Sequence, residues 1–225
     1  MGTVTFDNFK TYLKLRFGND DNLDSGTNYY GKWINDAYNL LTTQQKFWGL
    51  RRRFRFPELE TSASKTTSDG TYYVETPTDC LYVLQVYDET NDYLLRNIPL
   101  SKYLGYTDRS NTSVEGVPTE WIRSGANIYL HPTPDATYTL TVHYRKRVTA
   151  LTGTDATAIG PEWDDIILDI ATYIGKMYMR QFEEAKLFKA EATEKIAGIL
   201  SLYDQEEMAR NEYWRIDENY IDPGY

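Results

Sequence analysis

The spacing of apolar residues changes twice along the chain, and each change marks a change in the kind of element. In residues 5–17, Phe6, Phe9, Leu13 and Phe17 recur every three or four positions, which places them on one face of a helix. Thr5 is positioned to cap that helix and Gly18 to end it. A polar loop at 19–28 follows. Trp33, Ile34, Ala37, Tyr38, Leu41 and Trp48 then form the stripe of a second helix over 28–48, and Pro57 closes the RRRFRFP segment after it.

Residues 58–70, rich in Ser, Thr and Lys, read as loop. From 71 the period drops to two. Residues 71–75, 81–87 and 93–97 read as strands separated by Pro, Asp and Asn turns, with one helical turn expected at 101–105. Segments 120–123 and 127–131 flank Ser-Gly-Ala, a hairpin pattern. In 138–146, Leu140, Val142 and Tyr144 alternate with Thr139, Thr141 and His143, so the two sets face opposite sides of a strand. From Pro161, tolerated in a first helical turn, the helical period returns. Trp163, Ile166, Ile167, Ile170, Ala171, Ile174 and Tyr178 make a broad apolar stripe. A break is expected near 180–183, then a last helix over 184–209 with Leu187, Phe188, Ala192, Ile196, Ile199 and Tyr203 on its buried face.

This order predicts an α+β fold. The helical stripes at the two ends of the chain must bury against each other, giving a helical bundle from residues 1–57 and 158–207. A small antiparallel β lobe, 71–148, is inserted between them, and an extended C-terminal tail, 208–225, follows.

Composition narrows the function more than the fold. Twenty Tyr, eight Phe and five Trp among 225 residues supply large apolar faces with polar tips, which suit interfaces as well as cores. The net charge of -9 argues against a grip on nucleic-acid phosphates, which needs a basic face. Arg51, Arg52, Arg53 and Arg55 nevertheless form a basic block, able to meet an acidic partner surface or DNA, or simply to complement the end of a helix. The tail combines acidic residues with Tyr213, Trp214, Ile216, Tyr220, Ile221 and Tyr225, a pattern suited to filling pockets on a partner along an extended strand. The start of the chain has no signal-peptide character and no stretch reaches membrane-spanning length, so a cytosolic protein without membrane contact is expected.

Candidate chemistry is sparse. Cys80 is the single cysteine, so no disulfide can form within the chain, and a small buried side chain is expected there. One Cys with His131 and His143 cannot make a structural zinc site, and both histidines are expected at the surface. Asp20, Asn22 and Asp24 lack the glycine and the closing glutamate of a calcium loop. The pair Asp164 and Asp165 falls in a first helical turn, where the dipole favours acids. No phosphate loop, metalloprotease helix or nucleophile elbow is present. These features lead us to expect neither catalysis nor a cofactor.

Several segments in order resemble the head-to-tail adaptor (head completion or connector) proteins of tailed bacteriophages. They are Trp33-Ile34-Asn35-Asp36-Ala37-Tyr38 followed by Trp48; Thr76-Pro77-Thr78-Asp79-Cys80-Leu81; and Gly116-Val117-Pro118-Thr119-Glu120-Trp121. Ile128-Tyr129-Leu130-His131-Pro132-Thr133-Pro134-Asp135 with Tyr138-Thr139-Leu140, then Tyr144-Arg145-Lys146 and Ile159-Gly160-Pro161-Glu162-Trp163, complete the series, over residues 30–195. The resemblance implies a virion protein assembled in the bacterial host cytoplasm as a homo-oligomeric ring, a dodecamer. That ring would sit between the portal protein and the tail or nozzle proteins, with DNA passing through without specific binding. One other reading comes from the residues themselves, a carbohydrate- or protein-binding module on a helical stalk. Within the resemblance, the nearest rival is a tail-tube end protein in the same particle, expected to be mostly β, against which the long helices count.

Overall fold

The structure, a computed structural model, describes residues 4–24, 26–43, 56–107 and 114–218, of which 204–218 as backbone only. The chain divides into two compact units, Met1–Phe56 with Val148–Tyr225, and Pro57–Arg147.

The first unit is helical. α1 (Phe6–Arg16) begins as its sequence suggests, with the Thr5 hydroxyl accepting from the Asn8 amide at 3.4 Å. It buries Phe6, Phe9 and Leu13. α2 (Tyr29–Thr43) buries Tyr30, Trp33, Ile34, Ala37, Tyr38 and Leu41, while Trp48 lies outside the described residues. α4 (Asp164–Tyr178), introduced by a 3-10 turn at Pro161–Trp163, carries Ile166, Ile167 and Ile170 inward. α5 (Phe182–Glu218) runs back along α4. The expected break between them is sharp, with Arg180 at a φ of 60°. Two positions depart from the expected stripes. Tyr178, at the last turn of α4, is 58% exposed but packs its ring at a tilt against Tyr29 and Trp33. Leu187 is exposed, and Ala185 takes the inward place on that turn of α5.

Side chains from distant parts of the chain fasten this unit. Trp163 is 1% exposed and meets the Phe56 ring at 4.8 Å between centroids. Asn35 both donates to the Leu151 carbonyl (3.1 Å) and accepts from the Leu151 amide (2.7 Å), and the Tyr38 hydroxyl accepts from Ala158 N–H at 2.8 Å. The Asp169 carboxylate, fully buried on α4, is held by Arg16 of α1 at 2.7 Å and Lys195 of α5 at 2.5 Å. A charge removed from water in this way persists only because two cations and their hydrogen bonds compensate it. Asp164 and Asp165 do fall in the first turn of α4. Asp164 is buried there and accepts from Val4 N–H and the Thr157 hydroxyl; burial pushes its carboxyl above the ordinary range, against those two bonds.

The second unit is a two-sheet sandwich. One sheet has the order β1 (Glu60–Thr66), β8 (Thr139–Lys146), β3 (Cys80–Asp88), β4 (Tyr93–Leu94), antiparallel throughout. The other has the order β2 (Tyr73–Glu75), β7 (Asn127–His131), β6 (Glu120–Ser124), β5 (Arg96–Asn97). Its β5–β6 pair is parallel, as is the isolated bridge between Glu115 and Thr133, where an antiparallel lobe was expected. Val86, Leu140 and Val142 of the first sheet and Trp121, Ile128 and Leu130 of the second share one core, as alternation on β8 predicts. Cys80 is buried in that core, and burial pushes its thiol up.

The largest correction lies at 58–70, read as loop, and moves the unit's start from 71 to Pro57. Glu60 to Thr66 form β1, paired with β8 from Arg145 to Thr139. Its Ser, Thr and Lys side chains carry no apolar alternation because the strand lies at a sheet edge and gives only Ala63 to the core. At the other end of the chain, residues 208–218, expected as the start of an extended tail, continue the backbone of α5, and 219–225 lie outside the described residues. Glu206, Glu207, Met208, Ala209 and Arg210 are strong helix formers and need no apolar period to continue a helix.

Candidate interaction surface

α3 (Leu100–Thr107) lies on the outer face of the second sheet. Alternation sends Ile128 and Leu130 of β7 into the sandwich, which leaves Tyr129 and His131 on that outer face beside Ile122 of β6. Ile98, Tyr103 and Ile122 close a small second core under α3. Among the described residues, the helix covers only part of the face. Between α3 and the β2 side of the sheet a cleft of about 530 Å³ remains, walled by Tyr72, Leu100, Leu104, Tyr106, Tyr129 and His131. Leu100 and Leu104 present 47% and 46% of their surfaces to solvent there.

The aromatic walls are mutually supported. Tyr129 meets Tyr72 at 5.9 Å with an interplanar angle of 18°, and Tyr103 at 5.6 Å. Tyr106 stacks on His131 at 3.9 Å and 12°. Both histidines, expected at the surface, are half-buried. Behind the Tyr106–His131 pair sits a charge cluster. Glu120 accepts from Lys102 at 2.5 Å and from the Tyr106 hydroxyl at 2.8 Å. Burial alone would push the Glu120 carboxyl up; those two donors and the nearby Arg96 outweigh it and hold it below its ordinary value. The Glu120 contact raises the Lys102 ammonium, and burial lowers His131. Burial thus disfavours the charged form of His131, and the Lys102–Glu120–Tyr106 contacts tie the charges of the cluster to the polar tip of the aromatic wall. Stacked rings with anchored polar tips bind by contact area at little cost in ordering entropy. Among the described residues no group of three or more His, Cys, Asp or Glu could hold a metal ion, and no helix is long and apolar enough to cross a membrane.

A family model described as SU10 adaptor protein matches residues 4–215, which takes in both compact units. The chain belongs to this family. SU10 adaptors are phage head–tail adaptor proteins, so the chain is a structural adaptor of a phage particle. No curated protein matches it.

In this SU10 adaptor, the residues singled out from the sequence for partner binding lie apart from the cleft in the chain. Tyr213, Trp214 and Ile216 fall on the backbone of α5. Tyr220, Ile221 and Tyr225, and the block Arg51, Arg52, Arg53 and Arg55, lie outside the described residues. The cleft itself was missed. Its four tyrosines come from three separate segments, and the available signal was only the excess of Tyr in the β region.

Proposed function

We propose that the chain is a non-catalytic ring subunit that sits between the portal protein and the tail or nozzle proteins, with twelve copies lining a channel for DNA. The family match over residues 4–215 carries this reading. A subunit of a closed ring needs two different patches that meet by rotation. Exposed apolar side chains on different elements are suited to that: Tyr12 and Leu15 on α1, Leu187 and Leu202 on α5. The net charge of -9 suits a channel through which DNA slides without being held. The basic block at 51–55 and the aromatic tail serve as contacts with the portal or with neighbouring subunits. Mixing the purified protein with its portal and imaging the product by cryo-electron microscopy tests the reading. Twelve-fold density capping the portal is expected; a protein that stays monomeric with portal present overturns it.

The aromatic cleft favours one second reading, a carbohydrate-binding site, since stacked tyrosines also fit sugar faces. Binding to a glycan array that is lost in Tyr129→Ala would support it over the protein-docking role.

A further inference from the structure

The edge of the second sheet beside the cleft has a definite hydrogen-bonding pattern. Leu130 N–H donates to the Tyr72 carbonyl and Thr76 N–H to the Ala126 carbonyl, so Tyr72, Val74 and Thr76 direct their backbone groups at β7. By the alternation of an antiparallel ladder, Tyr73 and Glu75 direct theirs the other way, off the edge of the sheet. β2 is the terminal strand of its sheet, and among the described residues neither Tyr73 nor Glu75 has a backbone partner on that side. An apolar cleft thus adjoins a short strand edge with free donors and acceptors. Such a combination fits one kind of occupant, an extended segment that pairs through its backbone and puts a large apolar side chain into the cleft.

The chain contains a segment of matching chemistry just beyond α5. Residues 219–225 read Asn-Tyr-Ile-Asp-Pro-Gly-Tyr. Pro223 disfavours helix at Asp222 and has no N–H, so it limits any ladder to 219–222, the length that the three-residue β2 can pair. Alternation sends Tyr220 to one face and Ile221 to the other, so either register delivers a large apolar side chain to the cleft.

We propose that residues 219–222 of a second copy add to β2 as an extra strand and seat Tyr220 or Ile221 in the cleft between α3 and β7. The docking rests on the ring reading, which places a second copy close by and makes the contact effectively intramolecular within the assembly.

Disulfide trapping in the full chain tests it. Cys80 is buried in the sandwich core, so it does not compete. Tyr220→Cys is placed in one tagged copy. Leu104→Cys or Tyr73→Cys, both at exposed positions, is placed in another copy with a different tag. The copies are mixed with portal and oxidised with copper phenanthroline. A cross-link between the two tags is expected, at least ten-fold above a Glu183→Cys control on the exposed first turn of α5. Rings that form without this cross-link overturn the docking and leave the ring reading standing. A chain that stays monomeric with portal overturns both. Cross-linking only when both cysteines are in one copy, independent of concentration, also overturns the proposal, because the tail would then occupy its own cleft.

Discussion

The two units solve the same problem, burial of apolar surface, from opposite starting points. The β unit is cut from one continuous stretch, Pro57–Arg147, and every strand finds its neighbour within it. The helical unit is assembled across that stretch. Val4 meets Asp164 and Arg16 meets Asp169, at sequence separations of 160 and 153. Its first helices therefore lack half of their core until α4 has been made. The difference teaches where specificity must be strongest. Hydrophobic stripes alone would let the ends of the chain pair in several registers. The buried Asp169, answered from α1 on one side and α5 on the other, penalises registers that leave it unmatched. In the β unit the ladders do this work, and Asp88, also buried, caps only its own turn at Thr90 and Asn91.

The comparison can be broken at four points. Trp163→Ala should cost about 3–5 kcal/mol, since it empties a site filled by a fully buried indole. The loss should appear in the helical transition while a β-unit probe such as Trp121 melts unchanged; a parallel drop in both would mean that the units fold as one. Asp169→Ala should cost about 2–3 kcal/mol in the same transition. That is less than the usual penalty for breaking a buried pair, because Arg16 and Lys195 can turn towards water. Urea titrations of the variant and of Arg16→Met would measure it, and no change in either would remove Asp169 from the account of register.

The third test is alkaline. Burial, with nearby acids, pushes the Tyr30 hydroxyl in α2 up to about 12, and burial with Asp79 does the same for Tyr144 in β8. In both units the folded state therefore holds a phenolic proton that the unfolded chain releases near pH 10. Stability from these groups is complete below that pH and is lost as pH climbs towards 12, at up to about 1.4 kcal/mol per pH unit for each group. Melting at pH 9, 10 and 11 should show both transitions falling, and Tyr30→Phe should flatten the helical one only. The smallest effect is expected on the surface of α5. Glu183→Ala removes its exposed pair with Lys186 and should change stability by less than about 0.5 kcal/mol. A larger change would show that this turn is buried against something in solution.

Much of the helical unit was legible from spacing alone. Phe6, Phe9 and Leu13, Trp33 to Leu41 and Trp163 to Ile170 all lie inward where a 3.6-residue period puts them. Leu187 misled because side chains on both faces of α5 are apolar in places, and only the packing against α4 selects Ala185, Ala192 and Ile196. The strand β1 was hidden for the complementary reason, that an edge strand of small polar residues is held by its ladder rather than by its side chains. The cleft was least legible of all. Tyr72, Tyr103, Tyr106 and Tyr129 gain meaning only when β2, α3 and β7 bring them together.

Local physics is written along the chain. Apolar period, the Thr5 cap, the Pro161 start and the Gly125 turn each act over a few residues, so the sequence by itself determined the α+β order and the type of every element that carries such a signal, β1 and the end of α5 excepted. The segments quoted in order pointed to the adaptor family for the same reason, since each is a local pattern. Partner choice is different in kind. Which strand ends a sheet, which face a helix leaves uncovered and which carboxylate is sealed between two cations depend on contacts between residues far apart in sequence. Burial energy depends on what covers a side chain, and only the tertiary structure decides that.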